Sequence, residues 1–224
     1  MLLRNSNHGF TGKFVSTAII ETPIVRNLVH SGQGLLEFLA ALVEIAEQHR
    51  QLLVQLSGHG IQIAQQGAEF AAIEASSHGL EQGRLNGCSI EIAVYSNLSR
   101  DHLDYHGTLE AYAEAKAALF RFASLKVAVI NLDDAFAEVM LTAARQNPAQ
   151  PKILTYSTTQ AADYQVQNIE YSLAGAQFEL ISAQQRYRVH SPLLGHFNVE
   201  NLVASLIAVE QAGFDLSDLI ASAP

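Results

Sequence analysis

The sequence predicts an α/β fold: a mostly parallel sheet flanked by helices, with a small antiparallel sheet near the C-terminal third. Three observations carry this. The short, nearly continuous apolar runs AEFAAIEA (68–75), Ile90 to Tyr95, KVAVIN (126–131) and Lys152 to Tyr156 have the composition of strands buried on both faces. Helical stretches separate these runs, and strands alternating with helices argue for a parallel sheet. From Tyr164 the pattern changes to period two in QVQNIEY, AQFELIS and RYRVH, the mark of antiparallel strands with one wet face.

In chain order, residues 1–33 show little periodicity and read as a loop or short hairpin with one or two strands. Gly9-Phe10-Thr11-Gly12-Lys13 is a faint echo of a phosphate loop. The full spacing is missing, Phe14 stands where a magnesium-binding hydroxyl belongs, and no buried strand precedes it, so the hairpin reading is preferred. Gly34 to Leu56 carries a broad apolar helical stripe (Leu35, Phe38, Leu39, Leu42, Val43, Ile45, Ala46), broken by Ser57 to Gly60. Ile61 to Gln66 reads as a further helical turn, and Ser76 to Arg84 as a loop or helix start. Thr108 is placed as the N-cap of the helix LEAYAEAKAALFRF. Asp133 and Asp134 are expected to open a helix running to about Arg145. Asn198 is expected to cap VENLVASLIAVEQAG, which Gly213 stops, and Asp215 to Ala221 starts another helix.

The 224 residues are 49% hydrophobic, enough for a sizeable core, and carry a formal net charge of −9 without a basic stripe, which argues against nucleic acid as a partner. Cys88 is the single cysteine, so no internal disulfide forms and a reducing, cytoplasmic setting is expected. The first ten residues lack the apolar core of a signal peptide. Leu35 to Ile45 is too short to span a bilayer and is interrupted by Glu37 and Glu44, so no membrane association is expected.

Chemistry-bearing residues gather at the ends of the apolar runs. Lys116 shares a helix face with Leu109, Tyr112, Leu119 and Phe120. A lysine there either snorkels at the helix edge or faces a carboxylate, a phosphate or a metal cluster. Glu74 ends a buried strand, where α/β enzymes bind ligands, and calls for a metal or a cation nearby. His102, Asp104 and His106 fall within five residues, a spacing that suits a divalent ion or merely a solvated loop. Arg84 could clamp a carboxylate or phosphate, or sit in a surface ion pair. Asn198 and Asn201 could read a base edge, or simply cap a helix.

Together, EASSHGLEQGR (74–84), NLSRDHLDYHGTLEAYAEAKAALF (97–120), INLDD (130–134) and GHFNVENLVA (195–204) resemble the central domain of the Mur ligases, over about Gly67 to Asp218. Within that family the motifs are most similar to the branch that adds the third amino acid, usually diaminopimelate, to UDP-N-acetylmuramoyl-L-alanyl-D-glutamate. The resemblance implies ATP and Mg2+ as cofactors. Glu74 and His102 would hold magnesium, Lys116 would be carbamylated, Ser76, Gln82 and Arg84 would contact the UDP-muramoyl dipeptide, and Asn198 and Asn201 would face the adenine. The implied reaction phosphorylates the acceptor carboxylate, and the amine of the incoming amino acid then attacks the acyl phosphate.

The departures set further expectations. The family's phosphate loop TGTNGKT is absent, and Glu21-Thr22-Pro23 stands in place of its Asn-Thr-Thr motif. Residues 1–66 are therefore expected to be a divergent N-terminal segment of the central domain. Residues 67–224 are expected to be that domain, truncated before the C-terminal one. A fragment or degenerate copy without activity of its own is the leading expectation. The alternatives are a non-catalytic binding module or a related ligase such as folylpolyglutamate synthase. The family implies a monomer, whereas loss of the first parallel strand would uncover an edge and favour self-association.

Overall fold

The computed structural model describes residues 13–18, 70–86, 88–98, 103–183 and 185–222. The helices expected at 34–56 and 61–66 lie outside these residues. Among them, eight strands form one sheet: β1 (Lys13–Ala18), β2 (Phe70–Glu74), β3 (Ile92–Tyr95), β4 (Val127–Asn131), β5 (Lys152–Ser157), β6 (Tyr164–Ser172), β7 (Gly175–Ser182) and β8 (Gln185–Ser191), in the order β2-β1-β3-β4-β5-β6-β7-β8. The pairings from β2 to β6 are parallel, and β6, β7 and β8 pair antiparallel. The fold class read from the sequence is the one observed. The antiparallel part is not a separate sheet, because β6 lies parallel to β5 through Tyr156 beside Tyr164 and Ser157 beside Gln165.

The one rearrangement is at the front. Of the one or two strands expected within 1–33, Lys13–Ala18 is one, but it lies in the parallel sheet and not in a hairpin. It runs between β2 and β3, with Thr17 beside Glu74 and Val15 beside Ile92. β2 stays at the end of the sheet, with no further strand beside it among the described residues. Val15 and Thr17 are β-branched and suit a pleated strand, but both partner strands are more than 50 residues away in sequence, beyond the reach of local patterning.

Helices cover both faces. They are α1 (Ser77–Glu81), α2 (Leu103–His106), α3 (Leu109–Ala117, continued by a 3-10 turn at Ala118–Arg121), α4 (Ala137–Arg145), α5 (His196–Gln211) and α6 (Leu216–Ser222). Strand side chains alternate between them. Val94 and Val129 face a cluster built from α5 (Leu202, Val203, Leu206) and the meander (Val166, Phe178, Leu180). Ala93, Tyr95, Ala128 and Ile130 face the cluster of α3 and α4 (Tyr112, Leu119, Phe120, Met140, Leu141). The small residues Ala93 and Ala128 let α3 and α4 lie close to the sheet, and the two packed faces fix where the strand ends point.

Three caps bear on the site. Thr108 caps α3 as expected, its Oγ1 accepting from the Ala111 amide at 3.1 Å. Asn198 does not cap α5. The helix starts at His196, after Gly195 at φ 103°, and Asn198 Nδ2 instead donates back to the Leu194 carbonyl at 2.7 Å. Asp133 and Asp134 lie ahead of α4, which begins at Ala137: the Asp133 carboxylate is drawn to Ser157, Thr158 and Thr159, while that of Asp134 is shared between Tyr95 and Leu98 and the Phe136 amide beside the helix start. Among the described residues no helix is long and apolar enough to cross a membrane.

Candidate functional site

The chain leaving the carboxyl end of β2 carries Ser76, Gln82 and Arg84, at the side of the sheet where open α/β folds generally bind ligands. Two groups can be distinguished there, one on α1 to α3 and one at the ends of β3 to β5 under α5.

In the first group β2 ends at Glu74 and the chain turns into α1. Ser76 caps this helix, its Oγ accepting from the Gly79 amide at 3.1 Å, and keeps its hydroxyl hydrogen for another acceptor. The Arg84 amide closes onto the Gly79 carbonyl at 2.8 Å, a turn that leaves the Gln82 and Arg84 side chains exposed. Ser77 is turned inward and is 1% exposed. Its Oγ lies 2.8 Å from His106 Nε2, and His106 Nδ1 lies 3.7 Å from Glu81 Oε1. The His106 ring stacks on Tyr112, with centroids 5.0 Å apart and planes 14° from parallel.

Lys116 is 2% exposed, which decides against snorkelling, and its Nζ lies 5.6 Å from the Tyr112 ring centroid. A lysine so far from water needs compensation by a partner or by modification. The exposed side of the helix is carried instead by Glu114 and Arg121, paired at 2.5 Å. Of the expected magnesium ligands, Glu74 is placed as the last residue of β2. Its side chain, that of Asp104, and all of His102 lie outside the described residues.

The second group was only partly legible in the sequence. Asn131, at the end of β4, donates from Nδ2 to the Ser96 carbonyl at 2.8 Å and to Glu200 Oε1 at 3.2 Å, and accepts from the Asp133 amide at 3.0 Å. Asp133 accepts from Ser157 Oγ and Thr159 Oγ1, both at 2.5 Å, and from the amide and hydroxyl of Thr158 at 2.6 and 2.8 Å. Partial burial pushes its pKa up, but these hydrogen bonds outweigh burial and hold the carboxyl below its ordinary value. Asp134 accepts from Tyr95 Oη at 2.5 Å and from the amides of Leu98 and Phe136, each at 2.8 Å. Both aspartates thus pin loops around the site. Thr158 Oγ1 lies 3.0 Å from His196 Nε2, at the start of α5.

Glu200 is 6% exposed, and burial raises its pKa, with Asn131 and His196 opposing and Asp133 and Asp134 reinforcing the shift. Its signal in the sequence was a carboxylate inside the apolar run VENLVA. Asn201 presents a buried Oδ1 with no hydrogen-bond donor among the described residues. An acceptor left without a donor costs about 1–3 kcal/mol, so the site fits a ligand amino group at this position. Among the described residues no three His, Cys, Asp or Glu side chains come together to hold a metal.

The family model of the Mur ligase middle domain matches residues 34–209. The chain is similar to the UDP-N-acetylmuramoyl-L-alanyl-D-glutamate–2,6-diaminopimelate ligase of Pseudomonas aeruginosa, 42% identical over 163 residues that cover 72% of this chain and 33% of that one. It is similar to the UDP-N-acetylmuramoyl-L-alanyl-D-glutamate–L-lysine ligase of Staphylococcus aureus, 39% identical over 159 residues, 69% of this chain and 31% of that one. A solved structure of a 2,6-diaminopimelate ligase of this kind superposes with a TM-score of 0.81 and 52% identity, over 94% of this chain and 45% of the other. The chain spans about a third of the length of the curated relatives it matches.

Proposed function

We propose, from the premise that this chain belongs to the Mur ligase family by its middle domain, that its residues form the acceptor-binding and base-binding parts of an ATP-dependent amide ligase of peptidoglycan synthesis. The acceptor is UDP-N-acetylmuramoyl-L-alanyl-D-glutamate and the setting is the cytoplasm. The observation that carries this reading is the burial of Lys116, which a lysine sustains only with a partner or a modification. Carbamylation accounts for it: the amine adds to carbon dioxide, an N–C bond forms, a proton leaves, and the ammonium is replaced by a carboxylate-like group. Carboxylate and carbamate oxygens are the donors that Mg2+ takes, so Glu74 and carbamylated Lys116, with His102, are the residues that would hold it. Bound there, magnesium supplies positive charge to the phosphoryl oxygens.

The chain's own groups do the positioning. Arg84, exposed at the end of the α1 turn, offers a bidentate fork to a carboxylate or phosphate of the acceptor, with Ser76 and Gln82 beside it. Asn201 Oδ1 accepts from the exocyclic amine of adenine, and Asn198, fixed to the Leu194 carbonyl, flanks the same edge. The amino acid added is diaminopimelate in our reading. Of the two curated relatives, one names 2,6-diaminopimelate at 42% identity and the other L-lysine at 39%, and the solved 2,6-diaminopimelate ligase at 52% supports the diaminopimelate choice. No G-x-x-x-x-G-K-S/T sequence occurs in the 224 residues, and we assign them binding without a complete ligase reaction of their own.

The test is titration of the 224-residue chain with UDP-N-acetylmuramoyl-L-alanyl-D-glutamate in the presence of magnesium. Binding is expected, weakened by roughly tenfold or more in Arg84→Ala, the scale of a lost charge-assisted pair. Absence of binding by the unmodified chain would overturn the reading.

A further inference from the structure

The His106 imidazole is not accounted for by the roles above. Its side chain is 1% exposed, yet it touches both halves of the first group. On one side Nε2 meets Ser77 Oγ at 2.8 Å and Nδ1 faces Glu81 at 3.7 Å, both on α1. On the other, the ring lies flat on Tyr112 of α3, and Lys116 Nζ sits over that same Tyr112 ring. Serine, histidine and glutamate in this order resemble a nucleophile with its base. Ser77, however, is 1% exposed and packed under the imidazole, and we assign the contact an anchoring role.

What the arrangement does accomplish is mechanical. Gly107, at φ 75° with open space where a side chain would stand, reverses the chain between α2 and α3 and brings the His106 ring onto Tyr112. The N-terminal half of α1, which follows directly from Ser76, is thereby fixed against the helix that carries Lys116.

We propose that His106 is a positioning residue: anchored to Ser77, it supplies the aromatic wall that holds Tyr112 in place and so sets Lys116 relative to the acceptor-binding turn at Ser76, Gln82 and Arg84. This rests on the reading of Lys116 as the carbamylated lysine. Tyr112 has the hydroxyl of a hydrogen-bonding residue, but its ring is the part that faces both His106 and Lys116. A ring of similar shape at position 106 should therefore preserve the lysine's position, whereas a small side chain should not.

The test labels the 224-residue chain with 13C-bicarbonate in the presence of magnesium and reads the carbamate carbon by NMR, with Lys116→Ala identifying the resonance. His106→Ala is expected to lose carbamate occupancy by roughly tenfold, the scale of one buried aromatic contact. His106→Phe, which restores the ring without the Ser77 contact, is expected to recover most of it. Far-UV circular dichroism and a cooperative melt accompany each variant. Should His106→Ala not fold, His106→Gln, which keeps a donor toward Ser77 but removes the ring, takes its place and is expected to be depleted likewise. Full occupancy in the ring-less variant overturns the proposal, and so does a His106→Phe protein as depleted as it. Absence of any carbamate in the unmodified chain instead removes the carbamylation reading, and this inference with it.

Discussion

Gly175→Ala is expected to be the most damaging of the alanine substitutions at the described glycines, costing about 3–5 kcal/mol from combined backbone strain and overpacking. Gly175 sits at φ 122°, where the turn from β6 enters β7. A Cβ built there would lie 2.0 Å from the Ser191 carbonyl oxygen and 2.7 Å from Pro192 Cα, both backbone atoms that cannot swing aside. The clash falls where β8 ends, and the displaced segment 191–195 leads directly into α5. The injury should therefore reach the start of the helix that carries Asn198 and Asn201. Gly107→Ala is the control: it has positive φ but nothing within 4 Å, so only the conformational cost of about 1 kcal/mol is expected. Urea denaturation of both variants checks this. Equal losses would show that the contact with Ser191 and Pro192 is not what confines position 175.

Glu200→Gln is expected to act in the opposite direction and to stabilise the chain at neutral pH, by on the order of 1 kcal/mol for removal of an incompletely compensated buried charge. Burial is the main reason that the Glu200 pKa is raised from 4.5. The charges facing it are mixed. His196 on its own helix and the Asn131 amide favour the ionised form, while Asp133 and Asp134 from the loop after β4 oppose it. A folded pKa above the unfolded one means that the folded state holds a proton the unfolded chain has released. Its contribution to stability is complete below about pH 4.5, the unfolded value, and is lost as pH rises through the folded pKa. Glutamine keeps an acceptor for Asn131 and has no such dependence. The advantage of the variant should therefore open as pH rises and close under acid conditions. Melting the two proteins from pH 4 to pH 8 reads this directly, and a constant difference across that range would exclude Glu200 as its source.

How much of this was legible in the sequence divides along contact range. The strands from Ile92 and Val127 were visible because a strand covered on both faces is apolar along nearly its whole length, and the one from Lys152 because its inner part, Ile153 to Tyr156, still reads as a short apolar run. The meander was visible because β6 to β8 alternate. Lys116 was recognisable from helical phase alone, since a cation among Tyr112, Leu119 and Phe120 has no solvent to reach. What escaped depends on partners distant in the chain. Nothing local in KFVSTA announces a place between two strands more than 50 residues away. Asp133 and Asp134 look like helix-opening residues, because the alternatives that win (Ser157 to Thr159 for one, Tyr95 and Leu98 for the other) come from neighbouring strands. Asn198 looks like a cap for the same reason, although Gly195 ends the preceding loop three residues earlier. The pairing of Ser77 with His106, 29 residues apart, is likewise invisible to spacing.

The central claim is that these residues read the adenine base and bind the acceptor but supply no cradle for the triphosphate. It is tested most directly by titrating the 224-residue chain with adenosine and, separately, with ATP and magnesium, while assaying amide formation with the dipeptide acceptor and diaminopimelate. The account expects both ligands to bind, ATP with magnesium by no more than about tenfold more tightly than adenosine, a difference of about 1.4 kcal/mol from the metal alone, and no amide to form. ATP binding tighter than adenosine by two orders of magnitude or more, or ATP-dependent amide formation, would contradict it.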